Sequence, residues 1–252
     1  MIVPLIRAEA LKLVRRRGLM AWSLVLTVGA PLVAEVVLIA LHTVNPAKHG
    51  PAGGATNLEH LVFLLTGLGN AAAIILAATA GSQDVSNGVF RDLVVTGRSR
   101  STLFNVRVPG TALVYYPMLA TGFAIAIGGA FLLAGREPLP AWHDVGLDLL
   151  YAFCITFVDL VAAIGLAAFV SSRVVVGVLI AWNAIVSHLL LAIGSLGGAR
   201  KAIDVAAAEH FAPSHLVDGR VTMSGATAVI VLAVWIAVFL RAGRFWTVRS
   251  DV

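Results

Sequence analysis

Long apolar runs separated by short polar segments are the dominant pattern of this chain. The runs lie at residues 20–41, 58–80, 109–134, 147–170, 174–196 and 221–240. A helix of about 20 residues can cross a hydrocarbon core about 30 Å thick. The two-residue alternation of a membrane β-barrel is missing, so the pattern predicts an all-α integral membrane protein with six transmembrane helices. In this interpretation residues 1–252 form one transmembrane domain.

Composition supports this class of protein. Hydrophobic residues make up 59% of the chain and charged residues 12%, against about 25% charged residues in a soluble domain. Inside the six runs only Glu35, Glu59, Asp148 and Asp159 carry a formal charge. The single cysteine, Cys154, excludes a disulfide framework and a thiolate metal site.

The N-terminal residues 1–18 have a helical pattern of their own. On a helical wheel an apolar arc stands opposite Glu9, Lys12, Arg15 and Arg16. This pattern predicts an amphipathic interfacial helix whose arginines face lipid headgroups.

The distribution of basic residues predicts the orientation. If both ends lie inside, the cytoplasmic segments hold thirteen of the 18 Lys and Arg residues. The outer ones are Lys48, Arg136, Arg200, Lys201 and Arg220. Since positive residues are retained on the cytoplasmic side, we expect both termini and the 82–107 loop to be cytoplasmic. The net charge of +5 then reflects topology and contacts with membrane lipid, not nucleic-acid binding.

Motifs of enzyme chemistry are missing from the sequence. There is no phosphate-binding loop, no His-Glu-x-x-His and no Gly-x-Ser-x-Gly motif, and no paired acidic signature for a metal. We therefore expect a non-catalytic subunit without a cofactor of its own. The outer loop 197–220 contains apolar residues among its charges and is expected to form a short helix or a re-entrant element.

Polar residues at membrane depth are the candidates for a translocation pathway, because they must face protein or water. They are Asn70, Asp148, Asp159, Asn183, Ser187 and His188. Asp148 and Asp159 are almost three helical turns apart and share a face. Asn183 and Ser187 also share a face, whereas His188 lies about 140° around an α-helix from Asn183, so those two are not expected to line one narrow path.

Each of these polar groups has a structural alternative. Asn70, Asn183 and His188 can form interhelical hydrogen bonds, worth about 0.6 kcal/mol on average in a membrane. A central aspartate costs about 3 kcal/mol, which favours pairing or a water-filled pathway for Asp159. Glu35 lies nearer the outer end of its run and can simply reach the interface.

The polar stretch between runs two and three has a specific order of residues. It reads QDVSNGVFRDLVVTGRSRSTLFNVRV at 83–108. It resembles the cytoplasmic loop between the second and third spans in permeases of the type-2 ABC exporter family, which includes daunorubicin-resistance and polysaccharide-export permeases. Matching positions are Asp84, Gly88 with Val89, Leu93, Ser99 with Arg100, and Arg107. Asp84 departs from the usual glutamate, and no proline precedes the Ser-Arg pair.

The resemblance implies that this loop forms a coupling helix that docks on a separate ATPase. The residues with this expected role are Asp84, Gly88, Arg91, Leu93, Arg98, Ser99, Arg100 and Arg107. Two ATPase subunits, which bind ATP and magnesium, would drive two permeases, this chain and an identical or homologous second one. The expected activity is export of an amphipathic or hydrophobic substrate (drug-like, antibiotic, lipid-like or glycan-like) across the plasma membrane.

Two other functions stay open at this stage. One is a secondary transporter or channel that uses Asp159 and His188 as a proton relay. The other is a membrane enzyme or a non-transporting assembly subunit. For a pair of permeases, interfaces built on small residues such as Gly122, Gly128 and Gly165 are expected to bring helices close together.

Overall fold

The six apolar runs form helices in a computed structural model, which describes residues 2–86, 88, 94–95, 97–212 and 221–249, with the side chains of 85–86 excepted. Among these residues, six helices are long and apolar enough to cross a membrane. They are span 1 (Arg17–Val44), span 2 (Ala55–Asp84), span 3 (Arg100–Leu132), span 4 (Trp142–Leu166), span 5 (Ser172–Ala192) and span 6 (Gly225–Arg249). No strand occurs in the described part of the chain, so the predicted all-α class with six apolar helices is confirmed.

The helices begin and end at different residues from the apolar runs. Span 3 begins at Arg100 instead of 109, and span 6 continues to Arg249 instead of ending at 240. Polar residues readily extend a helix beyond the hydrocarbon core, where water satisfies their side chains. Hydropathy therefore located the spans but not their ends.

Spans 2 and 4 form the centre of the bundle. Most residues in the most apolar stretch of each are buried, whereas spans 1, 5 and 6 expose large apolar side chains on much of their surface. Glycines bring the central helices close together. A methyl group at Gly81 of span 2 would lie 2.6 Å from the Cβ of Ala167, and one at Gly165 would lie 2.5 Å from the carbonyl oxygen of Phe239 in span 6.

Three spans contain a π-helical segment within the described residues. These segments are Val25–Gly29 in span 1, Leu65–Gly69 in span 2 and Trp182–Val186 in span 5. A π turn bonds residue i to i+5 and inserts one residue into an α-helix, so it changes which side chains share a face. Tyr115 of span 3 donates its hydroxyl to the carbonyl oxygen of Gly69 at 3.1 Å, at the end of the second segment.

The N-terminal helix Ile2–Val14, the start of span 3 and the end of span 6 lie together, at what we call the basic end of the bundle. The N-terminal helix packs on span 3, where a methyl group at Gly110 would lie 2.6 Å from the Cβ of Glu9. Glu9 is buried, although the sequence pattern had placed it on the polar face. Close packing on span 3, which the helical wheel does not include, accounts for the difference.

A short helix, Asp204–Glu209, is inserted among the spans at the opposite end. Its residues 204–208 are buried against spans 4 and 6. The Trp182 indole donates to the Asp204 carboxylate at 3.0 Å, and the Trp235 indole donates to the carbonyl oxygen of Ala202 at 2.8 Å. The prediction of a short helix in loop 197–220 is therefore confirmed, while residues 213–220 lie outside the described part of the chain.

Candidate functional site

A buried carboxylate bonded by two amides lies at the centre of the bundle. Asp159 of span 4 is 1% exposed. Its Oδ2 accepts a hydrogen bond from the Asn70 amide of span 2 at 2.7 Å, and its Oδ1 accepts one from the Asn183 amide of span 5 at 3.1 Å. Three of the six predicted candidates thus meet in one cluster that joins three spans. We call it the Asp159 cluster.

A cavity of about 710 Å³ lies directly beside this cluster. Span 2 contributes Asn70 to its wall and span 5 contributes Asn183 and His188. The remaining lining residues are Phe63, Thr66, Gly67, Ala71, Ile74, Tyr151, Ile155, Ile180, Ala184, Leu191, Ala192, Val205, Glu209 and Val221. Asp159 itself lies behind the two asparagines. The cavity is therefore apolar over most of its wall and has a polar region next to a buried acidic group.

The π segment of span 5 makes one sequence prediction wrong. Asn183 and His188 were expected on different faces, yet both line the cavity. The hydrogen bond from the Ser187 amide to the Trp182 carbonyl follows the i→i+5 pattern of a π turn, which brings residues five apart closer to one face than an α-helix does. Ser187 contacts both Asn183 and His188. Its Oγ lies 3.4 Å from the Asn183 carbonyl oxygen and 3.3 Å from His188 Nδ1.

Two other carboxylates within the spans lie apart from this cavity. Asp148 is buried on span 4 but is not one of the lining residues, so sharing a face with Asp159 does not bring it to the site. Glu35 of span 1 was expected to reach the interface, and this is wrong. Its carboxylate is buried against span 3, where the missing side chain of Gly129 provides the space, and it has no hydrogen-bond partner among the described residues.

A second polar cluster lies at the basic end and contains two residues that were predicted to couple to an ATPase. Asp84 accepts from Lys12 Nζ at 2.9 Å and lies 3.5 Å from Arg107 Nη2. Arg107, 1% exposed, also donates to the Gly81 carbonyl oxygen at 2.8 Å, and Lys12 donates to Glu9 at 2.7 Å. This buried ion network ties the N-terminal helix to spans 2 and 3.

The network changes the titration of its two members outside the spans. Burial raises the pKa of Glu9, and the hydrogen bond from Lys12 only partly opposes this. Burial alone would lower the pKa of Lys12, but its hydrogen bonds to Glu9 and Asp84 raise the pKa above the ordinary value. Lys12 is therefore held as a cation, and its stabilising contribution is lost only when the pH rises through that elevated pKa.

The remaining predicted coupling residues have different surroundings. Gly88 is exposed with φ +69°, and Arg98 is half-buried. Ser99 caps the helix that begins span 3, since its Oγ accepts from the Thr102 amide at 3.2 Å. Arg100 donates to the Val248 carbonyl oxygen of span 6 at 3.1 Å. Arg91 and Leu93 lie outside the described residues.

Sequence comparisons give no independent assignment. The chain matches no known protein-family model, and no curated protein is significantly similar to it. Its function has to be argued from the arrangement of its own residues.

The chemistry of these sites is that of binding and of charge pairing. The Asp159 cluster presents the Asn70 and Asn183 amides to an apolar cavity, with the carboxylate behind them. The described residues contain no group of three or more potential metal ligands. The basic-end network pairs two acids with two bases. Glu9 and Lys12 were not recognised as network members from sequence, although their spacing of three residues is that of neighbours on a helix.

Proposed function

We propose that this chain is the permease subunit of an ATP-binding cassette exporter. It would form the translocation pathway for an amphipathic or hydrophobic substrate and would obtain energy from separate ATPase subunits at the basic end. The observation that carries the proposal is the cavity between spans 2, 4 and 5, whose apolar wall includes Asn70, Asn183 and His188. Ligand cavities of about 300–1,000 Å³ with a few polar groups in an apolar wall are typical binding sites.

The segment between spans 2 and 3 supports coupling to a partner at the basic end. Val95 is 80% exposed there, and Gly88, Gly97 and Ser99 are exposed as well. An exposed apolar side chain among polar residues suits docking on another protein. Asp84 and Arg107 belong to the buried network, so in this proposal they transmit movement of the segment to spans 2 and 3 and do not contact the ATPase.

A proton relay between Asp159 and His188 has less support. The contact between Ser187 Oγ and His188 Nδ1 favours such a chain at one end. At the Asp159 end, the Asn183 amide lies between the carboxylate and the Ser187–His188 contact. An asparagine amide donates hydrogen bonds but does not titrate, so it cannot pass a proton on in the way that a carboxylate or an imidazole does.

The decisive test of the proposed function is purification of the tagged chain from its native membrane, followed by native mass measurement and an ATP hydrolysis assay. We expect an ABC-type ATPase to co-elute, a mass that corresponds to two permeases and two ATPases, and hydrolysis that responds to added amphipathic compounds. A lone 26.3 kDa chain that transports without any ATPase would overturn the proposal.

Combined substitution of Arg91 and Arg98 by alanine is expected to weaken ATPase co-elution while leaving membrane insertion normal. Each exposed ion pair contributes only about 0.2–1 kcal/mol, so the double change should exceed the effect of either single change. Arg100 is left intact because it bonds to Val248 of span 6. Co-elution is measured at several salt concentrations, with Arg173→Ala as the matched control from another connecting segment. If the double variant co-elutes with the ATPase as well as the parent chain does, these arginines set the topology and do not contribute to docking.

A further inference from the structure

Among the described residues, two acidic side chains lie in or directly behind the wall of the 710 Å³ cavity. Asp159 lies one side chain behind the wall, and Glu209 is part of the wall. Among the described lining residues there is no Lys or Arg, and His188 is the one side chain that can carry a positive charge. Arg200, from the segment before the 204–209 helix, donates to the carbonyl oxygens of Leu191 and Gly197.

Asp159 has hydrogen bonds but no ion pair among the described residues. Both of its oxygens accept from neutral amides, and none of the ion pairs among the described residues involves it. A buried ion is costly unless another charge compensates for it. Asn70 and Asn183 donate to this carboxylate through Nδ2. The Oδ1 atom of each is buried and has no hydrogen-bond partner among the described residues. Among the described residues, the site therefore has buried acceptors and no lysine or arginine.

We propose that this cavity binds a hydrophobic monocation, for which Asp159 is the buried counter-charge. The positive centre would lie beside Asn70 and Asn183, within one side chain of the carboxylate. This inference deepens the proposed function. It rests on that function only where it identifies the bound cation as a transported substrate. Binding itself is a property of this chain alone.

The wall of the cavity suits the apolar part of such a ligand. Ile74, Ile155 and Ile180 provide aliphatic surface, and Phe63 and Tyr151 provide aromatic rings. An aromatic face attracts a cation in addition to its hydrophobic contact. The volume falls in the range of about 300–1,000 Å³ that is usual for small-molecule sites.

Two ions of the same shape and opposite charge separate this proposal from simple hydrophobic binding. Tetraphenylphosphonium and tetraphenylborate are offered to the purified chain in nanodiscs, and protein-free nanodiscs are used to subtract partitioning into lipid. We expect saturable binding of tetraphenylphosphonium at one site per chain, and affinity for tetraphenylborate lower by at least about tenfold, because the buried carboxylate attracts one ion and repels the other.

Variants then show which charged residue makes the cavity prefer the cation over the anion. Asp159→Asn should weaken tetraphenylphosphonium binding by about tenfold or more, whereas Glu35→Gln, a change of a buried carboxylate outside the cavity, should leave it unchanged. A second pair of variants leaves the Asp159 cluster unchanged, so it still tests cation binding if the Asp159→Asn variant fails to fold. Ala184 is exposed and lines the cavity, so Ala184→Lys adds a competing cation while Ala184→Met adds similar bulk. Only the lysine should abolish binding.

Three results would overturn the inference. They are equal affinity for the two ions, full retention of cation binding in a well-folded Asp159→Asn variant, and equal effects of Ala184→Lys and Ala184→Met. None of these experiments needs an ATPase. A chain that co-purifies with an ATPase but binds no cation would leave the proposed function standing, and a chain that binds the cation without any ATPase would leave this inference standing.

Discussion

Replacing Asp84 with alanine is expected to destabilise the folded chain by about 3–5 kcal/mol, because it leaves buried positive charge without its partner. Asp84 is the acceptor shared by Lys12 and Arg107, and the Arg107 guanidinium is almost completely enclosed. Lys12 keeps Glu9 after the change, whereas Arg107 keeps the Gly81 carbonyl oxygen but loses its ion pair with Asp84. The measurement is the free energy of unfolding in a denaturing detergent titration.

The matched control is Asp144→Ala, which removes an exposed carboxylate at the start of span 4 and should change stability by less than about 0.5 kcal/mol. A double-mutant cycle with Arg107→Ala tests the pairing directly. The combined variant should lose less than the sum of the two single losses, since neither charge is then left alone. Strict additivity, or an Asp84→Ala variant as stable as the parent chain, would show that the network does not stabilise the fold.

The second large effect is expected at Gly122 of span 3. A methyl group there would overlap the carbonyl oxygen of Thr27 in the π segment of span 1 and come within 2.8 Å of Leu65. The carbonyl belongs to the backbone and cannot rotate away. Gly122→Ala should therefore separate spans 1 and 3 and cost about 3 kcal/mol, the upper part of the range for overpacking.

Gly128 provides the control on the same helix. No atom of the described residues lies within 4 Å of the position that a methyl group would occupy there. Gly128→Ala should stabilise the chain by about 0.5–1 kcal/mol through the lower entropy of its unfolded state. Melting temperatures of the two variants in one detergent should thus move in opposite directions. A shift of the same sign would contradict the packing described for span 3.

The fold was predictable to the level of its spans, because twenty-residue apolar runs have few alternatives to a membrane helix. What hydropathy could not supply was the helix packing. Gly122, Gly128 and Gly165 look equivalent in the sequence, yet Gly122 and Gly165 each meet a backbone carbonyl and Gly128 meets nothing. Which face of a helix meets which neighbour depends on contacts far apart in the chain.

The sequence indicated which polar residues form the Asp159 cluster, but it did not indicate how they are arranged. Asn70 and Asp159 are 89 residues apart, so their hydrogen bond follows only from the packing of span 2 on span 4. The cost of burying a charge did indicate that Asp159 needs partners. The helical wheel misplaced His188 because it assumed 3.6 residues per turn through a segment that is π-helical. Asp84 and Arg107 were expected to couple to an ATPase, and the sequence did not indicate that Asp84 pairs with both Arg107 and Lys12.

The π segment Trp182–Val186 also divides span 5 into two α-helical halves, Ser172–Ala181 and Ser187–Ala192. Its first two residues bond to different elements, since Trp182 donates to Asp204 of the inserted helix and Asn183 donates to Asp159 of span 4. A π turn holds one inserted residue, so shifting it along the helix re-registers the side chains that it passes without breaking the helix. A shift of the inserted residue past Trp182 and Asn183 would therefore turn the indole and the amide away from their acidic partners, Asp204 and Asp159, at the same time.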